Sequence, residues 1–182
     1  MPSPFPTARR ESRRTRIFRL GMNLYPMFFG TGGKVTFIAA DWREVHVRLG
    51  LSVWSRNYVK TIFGGSMFSA SDPFYMLMLM HVLGKSFVVW DKAATIRFRR
   101  PGTQTLYARF LLDDALVDDL RRRVAEAGET DHTFVIQWVD RAGLVYAELE
   151  RNCYVADKAF YKQKQALRKS GRPAAGTIYP ST

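Results

Sequence analysis

Cysteine is almost absent: Cys153 is the only one in 182 residues. No disulfide can form within the chain, which fits a reducing compartment. Histidine is nearly as scarce. His46, His81 and His132 lie too far apart to form a ligand set, so no metal is expected. Long apolar runs are missing as well. The longest, over 73–83 and broken by His81, is about half the ~20 residues that span a bilayer. The N-terminus carries arginines where a secretory signal would have its apolar core. These absences lead us to expect a cytoplasmic protein with no membrane span. Phosphate loops and dinucleotide fingerprints are lacking too, since Gly30-Thr31-Gly32-Gly33 is not followed by the required Lys-Ser/Thr.

What is present is a globular middle between basic ends. Hydrophobic residues make up 47% of the chain, enough for one domain with a core. The net charge of +12 first suggests a nucleic-acid or membrane partner. Its distribution argues otherwise, because the excess lies in residues 1–19 and 158–182, and the body between is nearly neutral. We expect a disordered basic arm over 1–15, a folded domain over 16–157 and a mobile basic tail over 158–182.

Periodicity divides the domain. Ile17, Leu20, Leu24 and Phe28 recur at helical spacing. Strand-like runs cover 34–39 and 44–53, with Asp41-Trp42-Arg43 turning between them. A stretch over 65–83 is apolar nearly all round, as in a buried helix, and would be ~28 Å long. Strands then return at 87–90 leading into 94–99, at 105–112, 132–139 and 144–155; Asp113 and Asp114 offer an N-cap to an exposed helix over 115–127 that Gly128 ends. The predicted architecture is α+β, six antiparallel strands with one apolar helix packed on them.

Asp72 is a lone carboxylate inside the apolar stretch, and an ionised acid there needs partners. As Asp-Pro it is a good N-cap, with Pro73 opening a helix. As a carboxylate seven residues after Gly65, it is a candidate site.

One helix wrapped by an antiparallel sheet is the hot-dog arrangement, and the stretch 54–84 resembles a hot-dog acyl-thioester hydrolase motif. In the phenylacetate-pathway type an Asn precedes His-Gly-Gly, and an acid follows seven residues later. Here Asn57 precedes Phe63-Gly64-Gly65, and Asp72 stands at that offset. The run 90–102, WDKAATIRFRRPG, is similar to the third strand of those enzymes. The W-x-R-N, F-G-G and D-P-F-Y-M blocks resemble an uncharacterised hot-dog subfamily, a domain of unknown function. The likeness spans about 20–157. One departure is plain: the family's His is Phe63, so the imidazole's role is absent and the substrate mouth is more apolar.

The resemblance implies a single hot-dog domain that hydrolyses acyl-CoA or acyl-carrier-protein thioesters. Asp72 would be the general base or nucleophile, the Gly65 N–H at a helix start would polarise the carbonyl, and Asn57 would orient substrate or water. Phe63, Gly64 and Ser66 would line the substrate site. Lys60, Lys92 and Arg99 would meet the phosphates of coenzyme A, which enters only as part of substrate or product, with no resident cofactor. By the same resemblance the site lies between subunits of a homodimer or dimer of dimers, Asp72 and Gly65 coming from different chains.

Each assignment has a plainer reading. Gly64-Gly65 also reads as a loop, the Met76, Met78 and Met80 run as ordinary core, and the basic residues as a solvated strand face. Cys153 reads as a buried structural thiol. The alternative function is a non-catalytic acyl-thioester or fatty-acid binding module, favoured by Phe63. The basic ends suggest at most an accessory affinity for polyanions, with no specific nucleic-acid partner.

Overall fold

The computed structural model describes residues 4–170. Helices α1 (Arg13–Leu24) and α2 (Pro26–Phe29) precede strands β1 (Gly33–Ile38) and β2 (Glu44–Leu49). The central helix follows in two segments, α3 (Gly64–Ser69) and α4 (Phe74–Leu83). Then come β3 (Phe87–Phe98), β4 (Leu106–Leu111), α5 (Asp114–Ala127), β5 (Glu129–Val139), β6 (Val145–Asp157) and α6 (Lys158–Lys169). The six strands form one antiparallel sheet in the order β1-β2-β4-β5-β6-β3, so β1 and β3 are its edges. This is the α+β arrangement expected. Among the described residues, no helix is long and apolar enough to cross a membrane.

Period-two alternation sets which face of each strand is buried. Val45, Val47 and Leu49 of β2 turn inward, as do Phe134, Ile136 and Trp138 of β5. They pack on Met67 of α3 and on Phe74, Met78 and Leu79 of α4. Of the methionine run, Met78 is core and Met80 is exposed.

The central helix is not the single rod the apolar run predicts. Pro73 lacks an N–H and disfavours helical backbone at the residue before it. Residues 70–73 instead form tight turns, with the Ser71 N–H donating to Phe68 O and the Asp72 N–H to Ser69 O. The Met67 carbonyl is taken by the buried Trp138 indole, whose Nε1–H donates to it at 2.9 Å. That bond ties α3 to β5.

Where they are described, residues 4–15 pack along the sheet and residues 158–169 form α6. Helix α1 starts early because Ser12 and Thr15 form a reciprocal capping box. Residues 4–12 run past β2, where the outward-facing Glu44 is buried and needs partners. The Thr7 hydroxyl donates to Glu44 Oε2 at 2.7 Å, and Arg9 pairs with Asp41. At the other end, β6 passes directly into α6. Asp157 caps it by accepting from the Ala159 and Phe160 N–H groups, and the Phe160 ring rests on Gly128. Gly128 ends α5 at φ +79, the left-handed region in which a Cβ would be strained. Residues 171–182 of the expected tail lie outside the described residues.

Glu44 centres a buried polar cluster. Its Oε1 receives His46 Nε2 and Arg109 Nε, each at 2.7 Å, and the His46 ring lies against Phe5 and Phe37. Burial holds the His46 imidazole below its ordinary value, against the opposing pull of Glu44. Burial pushes the Glu44 carboxyl up, but hydrogen bonds from Thr7, His46 and Arg109 outweigh it and leave the group below its usual range.

Both shifts make acid destabilising. The unfolded chain takes up the histidine proton near pH 6.5, where folded His46 still resists it. The Glu44 contribution is present above about pH 4.5 and is lost as pH falls through its lower folded value. Melting curves on a pH series should therefore show Tm falling from about pH 6.5 downward, with His46→Gln flattening the upper part of the fall. An unchanged slope in that variant would place the acid sensitivity elsewhere.

Candidate active site

Asp72 sits in the turn between α3 and α4, and its side chain is 59% exposed. It does not cap α4: that helix has Pro73 at its N-cap and no side-chain cap bond. Its carboxylate turns instead to Arg151 of β6, with Nη1 donating to Asp72 Oδ1 at 2.8 Å. Arg151 is 1% exposed, among the largest fully buried side chains of the chain. The same Nη1 donates to Asp91 Oδ2 at 2.9 Å, and the guanidinium lies over the Phe68 ring. Nε of Arg151 is buried without a partner among the described residues. A buried guanidinium thus holds one exposed and one half-buried carboxylate.

Neither Arg151 nor Asp91 was singled out from the sequence, although a signal existed. Arg151 shares the inward phase of β6 with Leu149, Cys153 and Val155, and an arginine in core phase requires a buried acceptor. Asp91 faces Cys153 across β3 and β6. The Cys153 thiol donates to Asp91 Oδ1 at 3.1 Å, and burial together with the Asp91 charge pushes that thiol far up. Cys153 is thus buried with its thiol on a carboxylate, as befits a structural cysteine.

The cleft at Asp72 has a volume of about 290 Å³. Met22, Tyr25, Met27, Phe28 and Phe68 make its wall apolar.

A second cleft of about 530 Å³ lies at the start of α3 and brings together Asn57, Gly64 and Arg99 with Ile62, Met67 and Phe98. Asn57 closes the loop beneath it: Nδ2 donates to the Thr61 hydroxyl at 2.9 Å, and Oδ1 accepts the Thr61 N–H at 3.0 Å. Helix α3 has no side-chain cap at Phe63, which leaves its first N–H groups, those of Gly64 and Gly65, at the helix head. Both glycines lie under aromatic rings. A Cβ on Gly64 would sit 2.6 Å from the Phe98 ring, and one on Gly65 would sit 2.3 Å from the Phe63 ring. Phe63 itself is exposed, so its ring can swing.

The remaining candidates scatter. Ser66 is buried within α3. Lys60 is exposed on the tight turn after Asn57, at φ +65. Arg99 pairs with Glu148 at 3.3 Å on the rim of the second cleft. Lys92 faces a third cleft, against α6, and pairs with Asp131 at 2.7 Å. Within one protomer, Asn57, Gly64 and Arg99 therefore share a cleft, and Phe63 and Gly65 flank Gly64 in the chain. Asp72 opens on another cleft, and no residue lines both.

Comparison with known proteins places this fold. The model of a domain of unknown function, DUF4442, matches residues 14–155. No curated protein matches the sequence. Among solved structures, a Pseudomonas aeruginosa protein of unknown function, described as a probable thioesterase, superposes with a TM-score of 0.69 at 20% identity. The match covers 79% of this chain and 95% of that one. A thioesterase from Haemophilus influenzae gives 0.59 at 8% identity, covering 83% and 96%. Mouse thioesterase superfamily member 2 gives 0.56 at 13%, covering 79% and 98%. At these identities the likeness is one of fold, and the fold is the hot-dog.

Proposed function

This chain belongs to the DUF4442 family, and on that footing we propose that it hydrolyses acyl thioesters of coenzyme A or of an acyl carrier protein. One observation carries the reading: the Asp72 carboxylate is fixed through one oxygen by a buried arginine and otherwise open to an apolar cleft. In the proposed reaction Asp72 takes a proton from water as the water oxygen bonds to the thioester carbonyl carbon. The Gly65 N–H holds the resulting oxyanion. Collapse breaks the C–S bond, and the sulfur leaves with the proton that Asp72 held. Asn57 acts by holding the loop ahead of α3, and Arg99 at the cleft rim meets the phosphates of coenzyme A.

The separation of Asp72 from Gly65 in one protomer is what a shared site requires. Strand β3 is a twelve-residue sheet edge, and pairing it with a second copy would cover that edge. In such a homodimer, or a dimer of dimers, Asp72 of one chain faces Gly65 of the other.

A second reading, a non-catalytic acyl-thioester or fatty-acid binding module, is favoured by the Phe63 ring lying on Gly65. Free-thiol release from a panel of acyl-CoA esters and an acyl-carrier-protein thioester separates the two. Turnover of at least one thioester is expected. An acyl ligand carried through purification, with no thioester cleaved, would establish the binding module instead.

A further inference from the structure

An apolar strip runs over the outside of α1 and α2. At 100° per residue, Ile17, Leu20 and Leu24 fall on one line of α1, opposite the inward-facing Phe18 and Met22. All three are exposed, Leu24 to 77%. The strip continues through Met27, 74% exposed, and Phe29 to Trp54, whose ring centroid lies 6.0 Å from that of Phe29. Arg13, Arg14 and Arg16 are exposed around it. Glu11 is engaged by Arg19 at 2.8 Å, by the Ile38 N–H at 3.1 Å and by Arg16 at 3.8 Å. The surface is therefore apolar along its line and cationic at its margins.

Beside the strip, against β1 and β2, lies a cleft of about 550 Å³. Leu20, Leu24, Phe29 and Trp54 form part of its lining, which also holds Arg19, Lys34 and Arg48 and no carboxylate. Lys34 and Arg48 are register partners across β1 and β2, so two cations stand directly opposite each other. Like charges so placed repel, and an anion between them would reverse the sign.

We propose that this face docks on an anionic lipid bilayer, with the strip in the interface and Lys34 and Arg48 on a lipid headgroup phosphate. A second copy set on the same strip across a two-fold would bring the arginines of both copies together, which disfavours that occupant. Met27 also lines the Asp72 cleft, so docking would carry that cleft to the lipid surface. The docking itself does not depend on which reaction Asp72 performs.

Co-sedimentation of the full chain tests this, with vesicles of phosphatidylcholine alone and of phosphatidylcholine with phosphatidylglycerol. The chain should pellet with the anionic vesicles, not the neutral ones, and less as salt rises. Leu24→Glu should weaken binding by at least about tenfold, and Lys34→Ala and Arg48→Ala by about fivefold each. Lys34→Ala, on the exposed sheet edge, keeps the test valid should Leu24→Glu misfold. Failure to bind anionic vesicles would overturn the proposal. So would variants that bind like the wild type, since the basic termini alone would then account for the attraction. A fall in oligomeric mass of Leu24→Glu by light scattering would also overturn it, by assigning the strip to a second copy.

Discussion

Asp72→Asn should abolish thioester hydrolysis and leave the fold in place. The side chain is 59% exposed and meets Arg151 through a single bond, which an asparagine Oδ1 can still accept. Arg151 keeps Asp91 as its partner when Asp72 loses its charge, so the melting temperature should move little. The chemistry should change far more. An amide cannot take a proton from water, and losing a general base lowers kcat by about 10²–10⁴-fold. KM should stay near the wild-type value, because the apolar wall of Met22, Tyr25, Met27, Phe28 and Phe68 is untouched. Asp72→Ala should match Asp72→Asn in rate. Turnover within about tenfold of wild type in both variants would take Asp72 out of the mechanism.

Arg151→Met is expected to give the largest loss of stability. Arg151 is fully buried and bonds two carboxylates, with its guanidinium over Phe68. Removing one partner of a buried ion pair costs about 3–5 kcal/mol, because the charge left behind has no counterpart. Here Asp91 is the more affected acid: its side chain is 22% exposed, against 59% for Asp72. In a chain of this size the loss corresponds to a Tm drop on the order of 10 °C. Arg151→Lys restores one charge without the planar fork and should fall between the two. Assayed well below its melting point, Arg151→Lys should also lose kcat, since Asp72 is then less firmly held. A melting point for Arg151→Met within about 2 °C of wild type would contradict this account of the buried pair.

The strands were legible because each carries a period-two pattern against one apolar core. The small helix α5 was legible from Asp113 and Gly128, which cap it as expected. Asp72 shows where such reading stops. Asp-Pro looks the same whether it caps a helix or faces a partner, and the residue that decides it, Arg151, lies 79 positions away. Local chemistry cannot rank those two uses. The break at residues 70–73 is similar, since Pro73 permits either a kink or a stop, and the Trp138 bond to Met67 that accompanies the stop comes from another strand. The same holds for the N-terminal arm, where the buried acid that Thr7 and Arg9 engage, Glu44, lies far along the chain.

Those same long-range bonds bear on the order of assembly. Trp138 reaches back 71 residues to α3 and Arg151 reaches back 79 to the turn that follows it. Contacts so distant in sequence form late, because the intervening chain must be ordered first. During synthesis α3, the turn and Asp72 emerge well before the hairpin of β5 and β6 that holds them. The early half of the chain can collapse on its apolar helix, but the carboxylate acquires its fixed position only when nearly the whole domain has been made.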